Sequence, residues 1–93
     1  MEEKDKRVDE VVQSLQKQGY KNIFLWRDKK GTYYPLHAHP YEEIRVVLDG
    51  ELVIVEENGT RHHLRKGDRL KVSPGLRHEA FVLEDCKYIC GSR

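Results

Sequence analysis

This chain of 93 residues is poor in the features that mark several functional classes. It has two cysteines, three prolines and one tryptophan, and 17 basic residues nearly balance 16 acidic ones. No block of one charge sign is long enough to recruit a nucleic acid or an anionic lipid surface. No apolar run reaches the roughly 20 residues that span a membrane, and the N-terminal segment MEEKDKRVDE is charged. We therefore expect a cytoplasmic protein with no nucleic-acid partner and no membrane partner.

The two cysteines, Cys86 and Cys90, stand close together in the segment CKYIC. In an extended strand their Cα atoms would lie roughly 13 Å apart, about twice the reach of a disulfide. The chain also offers no second pair of cysteines for a zinc knuckle. Both are therefore predicted to be buried free thiols.

The order of apolar residues predicts one helix followed by many strands. Residues at helical spacing share one face and precede a glycine, which predicts a helix over about residues 5–18: Val8, Val11, Val12 and Leu15, then Gly19. Eight short β-branched or aromatic runs follow: NIFLW, TYYPLH, EIRVVL, ELVIVE, TRHHLR, RLKV, HEAFVL and KYICG. This pattern is typical of an antiparallel sandwich or barrel, so we expect one all-β domain over residues 1–93.

Two dipeptides predict tight hairpins between these strands. Asn58-Gly59 and Asp49-Gly50 are of the kind that accepts positive φ at both central positions of a two-residue turn. The second pair stands between the two most apolar runs, which would then form neighbouring strands.

The segment LHAHPYEEIR, residues 36–45, places titratable side chains in a strand-forming region. His37 and His39 share parity on an extended chain, so their rings suit two neighbouring positions around a metal ion. Glu43 and the distant His78 can return to the same point. His62 and His63 are adjacent, so they face opposite sides of a strand and are predicted to be surface residues.

The spacing of these residues resembles the two cupin motifs. The first is matched by Gly31, His37, His39, Glu43 and Gly50, and the second by Gly67, Gly75 and His78. The proline of the second motif stands one place later, at Pro74, and Val82 replaces its trailing asparagine. The resemblance implies a double-stranded β-helix, or jelly-roll barrel, with its core over residues 31–82 and one N-terminal α-helix.

Within the cupin superfamily, HAHPYEEIRVVLDG resembles the acireductone dioxygenases most closely. That resemblance implies a divalent transition metal, Fe, Mn, Ni, Zn or Co, held by His37, His39, Glu43 and His78. It also implies that Arg45 binds a small anionic or enolic substrate. Those enzymes are nearly twice as long and have additional helices and loops around the barrel mouth.

The roles of Arg45 and Tyr33 have structural alternatives. Arg45 shares parity with Glu43 and should point into the barrel, where it would bind substrate or pair with a carboxylate: Glu42, Asp49 or Glu56. Tyr33 shares parity with His37 and is the aromatic residue we expect in a substrate pocket, although aromatic side chains in strands usually serve packing.

The opposite face of the strand that carries Glu43 is apolar, with Ile44, Val46 and Leu48. A barrel's outer face is rarely this apolar unless it is covered, either by the N-terminal helix or by a second subunit. Because the chain is also short, we expect a homodimer.

The sequence leaves two functional classes open. The first is a metal-dependent enzyme, a dioxygenase or isomerase acting on a small organic acid, enol or sugar. The second is a module that binds or senses a metal or small ligand without chemistry. A general base or a lid would distinguish them, and the sequence offers no candidate for either.

Overall fold

The computed structural model describes residues 4–93, which form one helix and six strands. These elements are α1 (Lys6–Lys17), β1 (Lys21–Asp28), β2 (Tyr33–His37), β3 (Glu43–Glu56), β4 (Arg61–Arg65), β5 (Arg69–Val72) and β6 (His78–Ser92). Among the described residues, no helix is both long and apolar enough to cross a bilayer.

Helix α1 agrees with the predicted helix of about residues 5–18. The side chain of Asp5 caps its first turn by accepting a hydrogen bond from the backbone N–H of Arg7. Gly19 follows the helix with a φ of 87°, a conformation that glycine adopts without a steric cost.

All strand pairs are antiparallel, and the long strands β3 and β6 form the centre of the sheet. The order is β1-β6-β3-β4, with β2 also paired to β6 and β5 also paired to β3. Because β3 has 14 residues and β6 has 15, each takes part in both ends of the barrel. This architecture confirms the predicted all-β fold with one helix.

The hairpin predicted at Asn58-Gly59 is confirmed, since it connects β3 to β4. Its turn is not the predicted two-residue type, because the backbone N–H of Glu56 donates to the carbonyl of Thr60 and Gly59, but not Asn58, has a positive φ. The hairpin predicted at Asp49-Gly50 is wrong, because β3 runs through these residues without a turn. The pairing of β3 with β6 instead shifts register on either side of Gly50. The runs EIRVVL and ELVIVE are therefore two halves of one bent strand, and HEAFVL and KYICG likewise make up β6.

A close backbone contact explains the glycine at this bend. Gly50 has a φ of 90°, and a Cβ atom there would lie 2.2 Å from the carbonyl oxygen of Asp85 on β6. Only glycine fits both the left-handed conformation and the contact. Positive φ was predicted correctly for Gly50 but not for Asp49, and tertiary pairing uses it for a bulge rather than a turn.

The buried side chains form two groups on opposite sides of β3. One fills the barrel and includes Val47, Leu52, Ile54, Leu64 and both cysteines, which are free thiols as predicted. The other lies between the barrel and α1 and comprises Leu15, Tyr20, Ile44, Val46, Leu48 and Ile89.

The helix therefore covers the apolar face from which a second subunit was inferred. Val8, Val11 and Val12 pack against this second group, and Ile44 and Leu15 are fully buried in the single chain. The face thus gives no further reason for a homodimer, which stays a prediction.

Candidate metal centre

The four predicted metal ligands come from the ends of three strands and from one connection between strands. His37 ends β2 and pairs in register with His78, the first residue of β6. Glu43 begins β3, and His39 lies in the connection between β2 and β3. The turn before His78 is fixed to that connection, because the backbone N–H of Gly75 donates to the carbonyl of His39 at 2.8 Å.

The three histidines converge. The ring of His37 lies 4.4 Å from that of His78 and 5.0 Å from that of His39, measured between centroids. One ring nitrogen from each histidine lies within 4.8 Å of those of the other two. This spacing allows one cation to contact all three.

The backbone fixes the tautomer of two of these rings. The Nδ1 atom of His37 lies 2.7 Å from the carbonyl oxygen of Pro35, and that of His78 lies 3.0 Å from the carbonyl oxygen of Leu76. A carbonyl only accepts, so each Nδ1 carries a proton, and in the neutral form of each ring the lone pair is on Nε2. Metal-ligating histidines are commonly oriented in this way.

The Nε2 atom of His78 is the clearest sign of a missing partner. It is buried and has no hydrogen-bond partner, and the residue as a whole is fully buried. Burial lowers the pKa of His78, so the ring is neutral at neutral pH, the form that binds metals. The donor set and its geometry therefore fit a divalent cation.

Glu43 lies between the histidines and Arg45. Its Oε2 atom is 3.3 Å from Nε2 of His39, and its Oε1 atom accepts a hydrogen bond of 2.8 Å from Arg45. Both side chains are nearly buried, with exposed fractions of 11% and 10%. The carboxylate thus compensates the arginine while facing the histidine group.

The partner of Arg45 differs from those predicted. The sequence offered Glu42, Asp49 and Glu56 as structural alternatives, but the guanidinium pairs with Glu43. Glu42 instead accepts hydrogen bonds from Tyr20 and Arg93 on the outside of the barrel. Glu43 lies two positions before Arg45 on the same face of β3, so it is the nearest carboxylate. The prediction overlooked this pair because it considered Glu43 only as a metal ligand.

A cavity of about 320 Å³ opens beside the histidines. Its lining residues come from strands β1, β2, β3 and β6 and from the β2–β3 connection: Phe24, Trp26, Tyr34, His37, His39, Glu43, Arg45, Ala80, Tyr88 and Cys90. A concave site of this size, with a few charged groups at one end, is typical of small-ligand binding.

Comparison with known proteins agrees with this architecture. The family model described as "Cupin domain" matches residues 24–90. This chain belongs to the cupin family. The match begins within β1 and ends within β6, so it includes every residue of the histidine group.

This cupin is similar in sequence or in fold to proteins of which it spans about three fifths of the length. It is 30% identical to an acireductone dioxygenase from Tuber melanosporum, in an alignment that covers 92% of this chain but only 58% of that protein. A cupin superfamily protein from Desulfitobacterium hafniense has a TM-score of 0.70 at 20% identity, over 75% of this chain and 63% of the other. A conserved protein with a double-stranded β-helix domain from Klebsiella pneumoniae has a TM-score of 0.66 at 26% identity, over 75% and 64%.

The structure places Tyr33 outside the cavity of this cupin. Its ring is half exposed and packs on Phe81, and its hydroxyl donates to Glu79. The register of β2 shifts between Tyr34 and His37, so the parity argument that placed Tyr33 beside His37 is wrong. Tyr34 lines the cavity in its place.

Sequence reasoning missed Asp28, at the end of β1. Its carboxylate accepts hydrogen bonds from Nε1 of Trp26 at 3.0 Å and from the hydroxyls of Tyr34 at 2.7 Å and Tyr88 at 2.5 Å. These three donors come from different strands, so no local spacing in the sequence could have identified the cluster.

The remaining titratable groups on the cavity wall are held in their protonated forms. Burial raises the pKa of Cys90 to about 11. Burial and the hydrogen bond to Asp28 raise the pKa of both Tyr34 and Tyr88. At neutral pH these groups are therefore a thiol and two phenols.

The adjacent histidines on β4 lie apart from this site, as predicted. His62 pairs with Glu56 and His63 pairs with Glu51. They provide matched controls for substitutions in the histidine group.

Proposed function

We propose that this cupin, as one domain over residues 1–93, binds a divalent transition metal through His37, His39, His78 and Glu43. The metal is one of Fe, Mn, Ni, Zn and Co, and the adjacent cavity holds a small organic acid, enol or sugar. The observation that carries the proposal is the buried Nε2 of His78, which has no partner and lies in a group of three histidines. A buried unpaired nitrogen is costly, and coordination would satisfy it.

Each residue of the site has a distinct part in this proposal. The three imidazoles and the carboxylate of Glu43 hold the ion, which supplies Lewis-acid or redox chemistry to a ligand in the cavity. Arg45 provides a permanent positive charge that orients a carboxylate or enolate. The pair between Arg45 and Glu43 keeps the carboxylate pointed at the histidines when no ligand is present.

Two functional classes follow from this site. The first is a metal-dependent enzyme: similarity to an acireductone dioxygenase supports an oxidoreductase, and an isomerase is the other reaction class that such a metal site would suit. The protonated state of Tyr34, Tyr88 and Cys90 supports the alternative, a non-catalytic module that binds or senses a small ligand, because none of them is a free base at neutral pH.

Calorimetric titration of the metal-free protein with each ion tests the metal site. We expect one site per chain, weakened about tenfold or more by Glu43→Gln, since loss of even an outer-shell partner commonly costs about that much. Glu57→Gln is the control, because Glu57 is exposed and pairs with the exposed Arg77 across 3.7 Å. Equal binding by both variants would remove Glu43 from the proposal.

Oxygen uptake by the metal-loaded protein, mixed anaerobically with enediols and diketones before O₂ is admitted, separates the two classes. Consumption of O₂ with loss of the organic compound supports the enzyme. Saturable binding of the same compounds without turnover supports the non-catalytic module.

The homodimer and the cytoplasmic location are also proposals. The short chain supports association of two copies. Sedimentation equilibrium at micromolar concentration should give twice the mass of 11.0 kDa, and a single-chain mass would overturn the homodimer.

A further inference from the structure

The lining of the cavity beside the histidines combines two kinds of chemistry. His37, His39, Glu43 and Arg45 supply polar and charged groups. Aromatic rings and small apolar groups form the rest, among them Phe24, Trp26 and Tyr34. A ligand that fills the cavity must match both.

Asp28 binds the polar groups of the aromatic residues, so these groups are not free to donate hydrogen bonds to a ligand. The indole N–H of Trp26 and the hydroxyls of Tyr34 and Tyr88 all donate to its carboxylate, at 3.0, 2.7 and 2.5 Å. Each donor has one proton to give, and that proton is used. The wall therefore presents hydrocarbon ring surface, with no free hydroxyl or indole proton for a sugar.

Two of the rings are unusually exposed for their size. Phe24 is 50% exposed and Trp26 is 48% exposed, and their rings meet edge to face with centroids 6.1 Å apart. They lie side by side on β1 and line the cavity. Covering such rings with an apolar group removes hydrocarbon surface from water and is favourable.

We infer that the aromatic wall of Phe24, Trp26 and Tyr34 binds the hydrocarbon part of a ligand whose carboxylate or enolate lies at Arg45. Asp28 is the positioning residue that holds the wall in place. The inference rests on the proposed function for the charged part of the lining. Within the substrate classes proposed there, it favours monoanions with an alkyl or aryl substituent over sugars, because the aromatic wall has no free donor proton.

The cavity volume sets the size of this ligand. A volume of about 320 Å³ holds roughly ten groups of the size of a water molecule, each of which occupies about 30 Å³ of the liquid. A carboxylate with a chain of five to seven carbons, or with one aromatic ring, is on the order of this size.

The one tryptophan of the chain gives a direct assay, because Trp26 lies in the wall. Metal-free protein is titrated with acetate, butyrate, hexanoate and octanoate, and with glucuronate as a polar anion of the same charge, while its fluorescence is recorded. Affinity should rise up to about fourfold per methylene until the cavity is full. Hexanoate should bind at least about tenfold more tightly than glucuronate.

Variants test whether the aromatic wall, rather than general hydrophobicity of the ligand, causes the rise in affinity with chain length. Asp28→Ala and Phe24→Ala should each reduce the gain in affinity to less than about twofold per methylene. Asp28→Asn keeps one acceptor oxygen and should restore part of that gain. Phe24 is half exposed, so its variant should fold even if Asp28→Ala does not. Leu83→Ala is the control, since Leu83 is 39% exposed outside the cavity and should leave the gain unchanged.

Three results would overturn the inference: affinity that does not rise with chain length, equal affinity for glucuronate and hexanoate, or an unchanged gain in the Phe24 variant. The assay needs no metal, so its failure would leave the calorimetric test of the metal site unaffected. Conversely, failure of metal binding would not change the dependence of carboxylate affinity on chain length, which is measured on the metal-free protein.

Discussion

Replacing Arg45 by leucine should destabilise the metal-free protein much more than the metal-loaded protein. In the absence of metal, the buried carboxylate of Glu43 has Arg45 as its charged partner at 2.8 Å. Leucine keeps much of the side-chain volume but leaves that carboxylate uncompensated. A divalent ion at the histidines would restore a positive charge beside it.

The magnitude follows from the burial of the pair, whose residues are both 8% exposed. Breaking a buried ion pair by removing one partner costs about 3–5 kcal/mol. For a domain of this size, about 3 kcal/mol lowers Tm by about 12 °C or more. With metal bound we expect a loss of about 1 kcal/mol, because Glu43 then faces a cation.

The two losses are linked through metal affinity. If the variant loses about 3 kcal/mol without metal and about 1 kcal/mol with it, its metal affinity must rise by about 2 kcal/mol, or roughly 30-fold. Removal of the repulsion between the guanidinium and the ion acts in the same direction. Urea unfolding with and without metal measures the two losses of stability, and calorimetry measures the change in metal affinity.

Arg77→Leu is the matched control, because it removes an arginine from an exposed pair with Glu57. That change should cost less than about 1 kcal/mol in both states. The reasoning is refuted if the Arg45 variant loses equal stability with and without metal, or if it binds metal more weakly than the wild type.

Two further predictions concern the scaffold. Gly50→Ala should cost about 2 kcal/mol or more in urea unfolding, because its Cβ would lie 2.2 Å from the carbonyl oxygen of Asp85, whereas Gly59→Ala, with a similar φ but open space, should cost clearly less; equal losses would contradict the contact argument. Hydrogen bonds, above all from Arg7, lower the pKa of Asp5 below its ordinary 3.8. The ionised carboxylate therefore stabilises the folded protein above that pH, and this stabilisation is lost as the pH falls toward the folded-state pKa. The stability difference between wild type and Asp5→Asn should therefore shrink below about pH 4, and a difference that stays constant to pH 2 would rule out this linkage.

Local patterns predicted the elements of the fold well. The stripe of Val8, Val11, Val12 and Leu15 predicted α1 because helical period depends on neighbours along the chain. The same holds for the Asn58-Gly59 hairpin. The prediction of a hairpin at Asp49-Gly50 is wrong because Gly50 lies at a bulge in β3, where it packs against the backbone of Asp85, which is distant in sequence.

The residues of the site likewise include some that local spacing predicted and some that only the folded sheet brings together. His37, His39 and His78 converge as their motif spacing predicted. Tyr33 was placed wrongly because a register shift before His37 inverts the parity of β2. Asp28 was missed because its importance depends on hydroxyls from β2 and β6, which only the folded sheet brings together.

Metal content of the purified protein tests the central claim most directly. After dialysis, elemental analysis should find about one divalent transition-metal ion per chain in the wild type and in the control His62→Ala/His63→Ala, whose histidines lie apart from the site. The double variant His39→Ala/His78→Ala should retain none, and wild-type occupancy should fall below about pH 6 as the histidines are protonated. A full complement of metal in the His39/His78 variant, or an occupancy that stays constant down to pH 5, would contradict the proposed histidine centre.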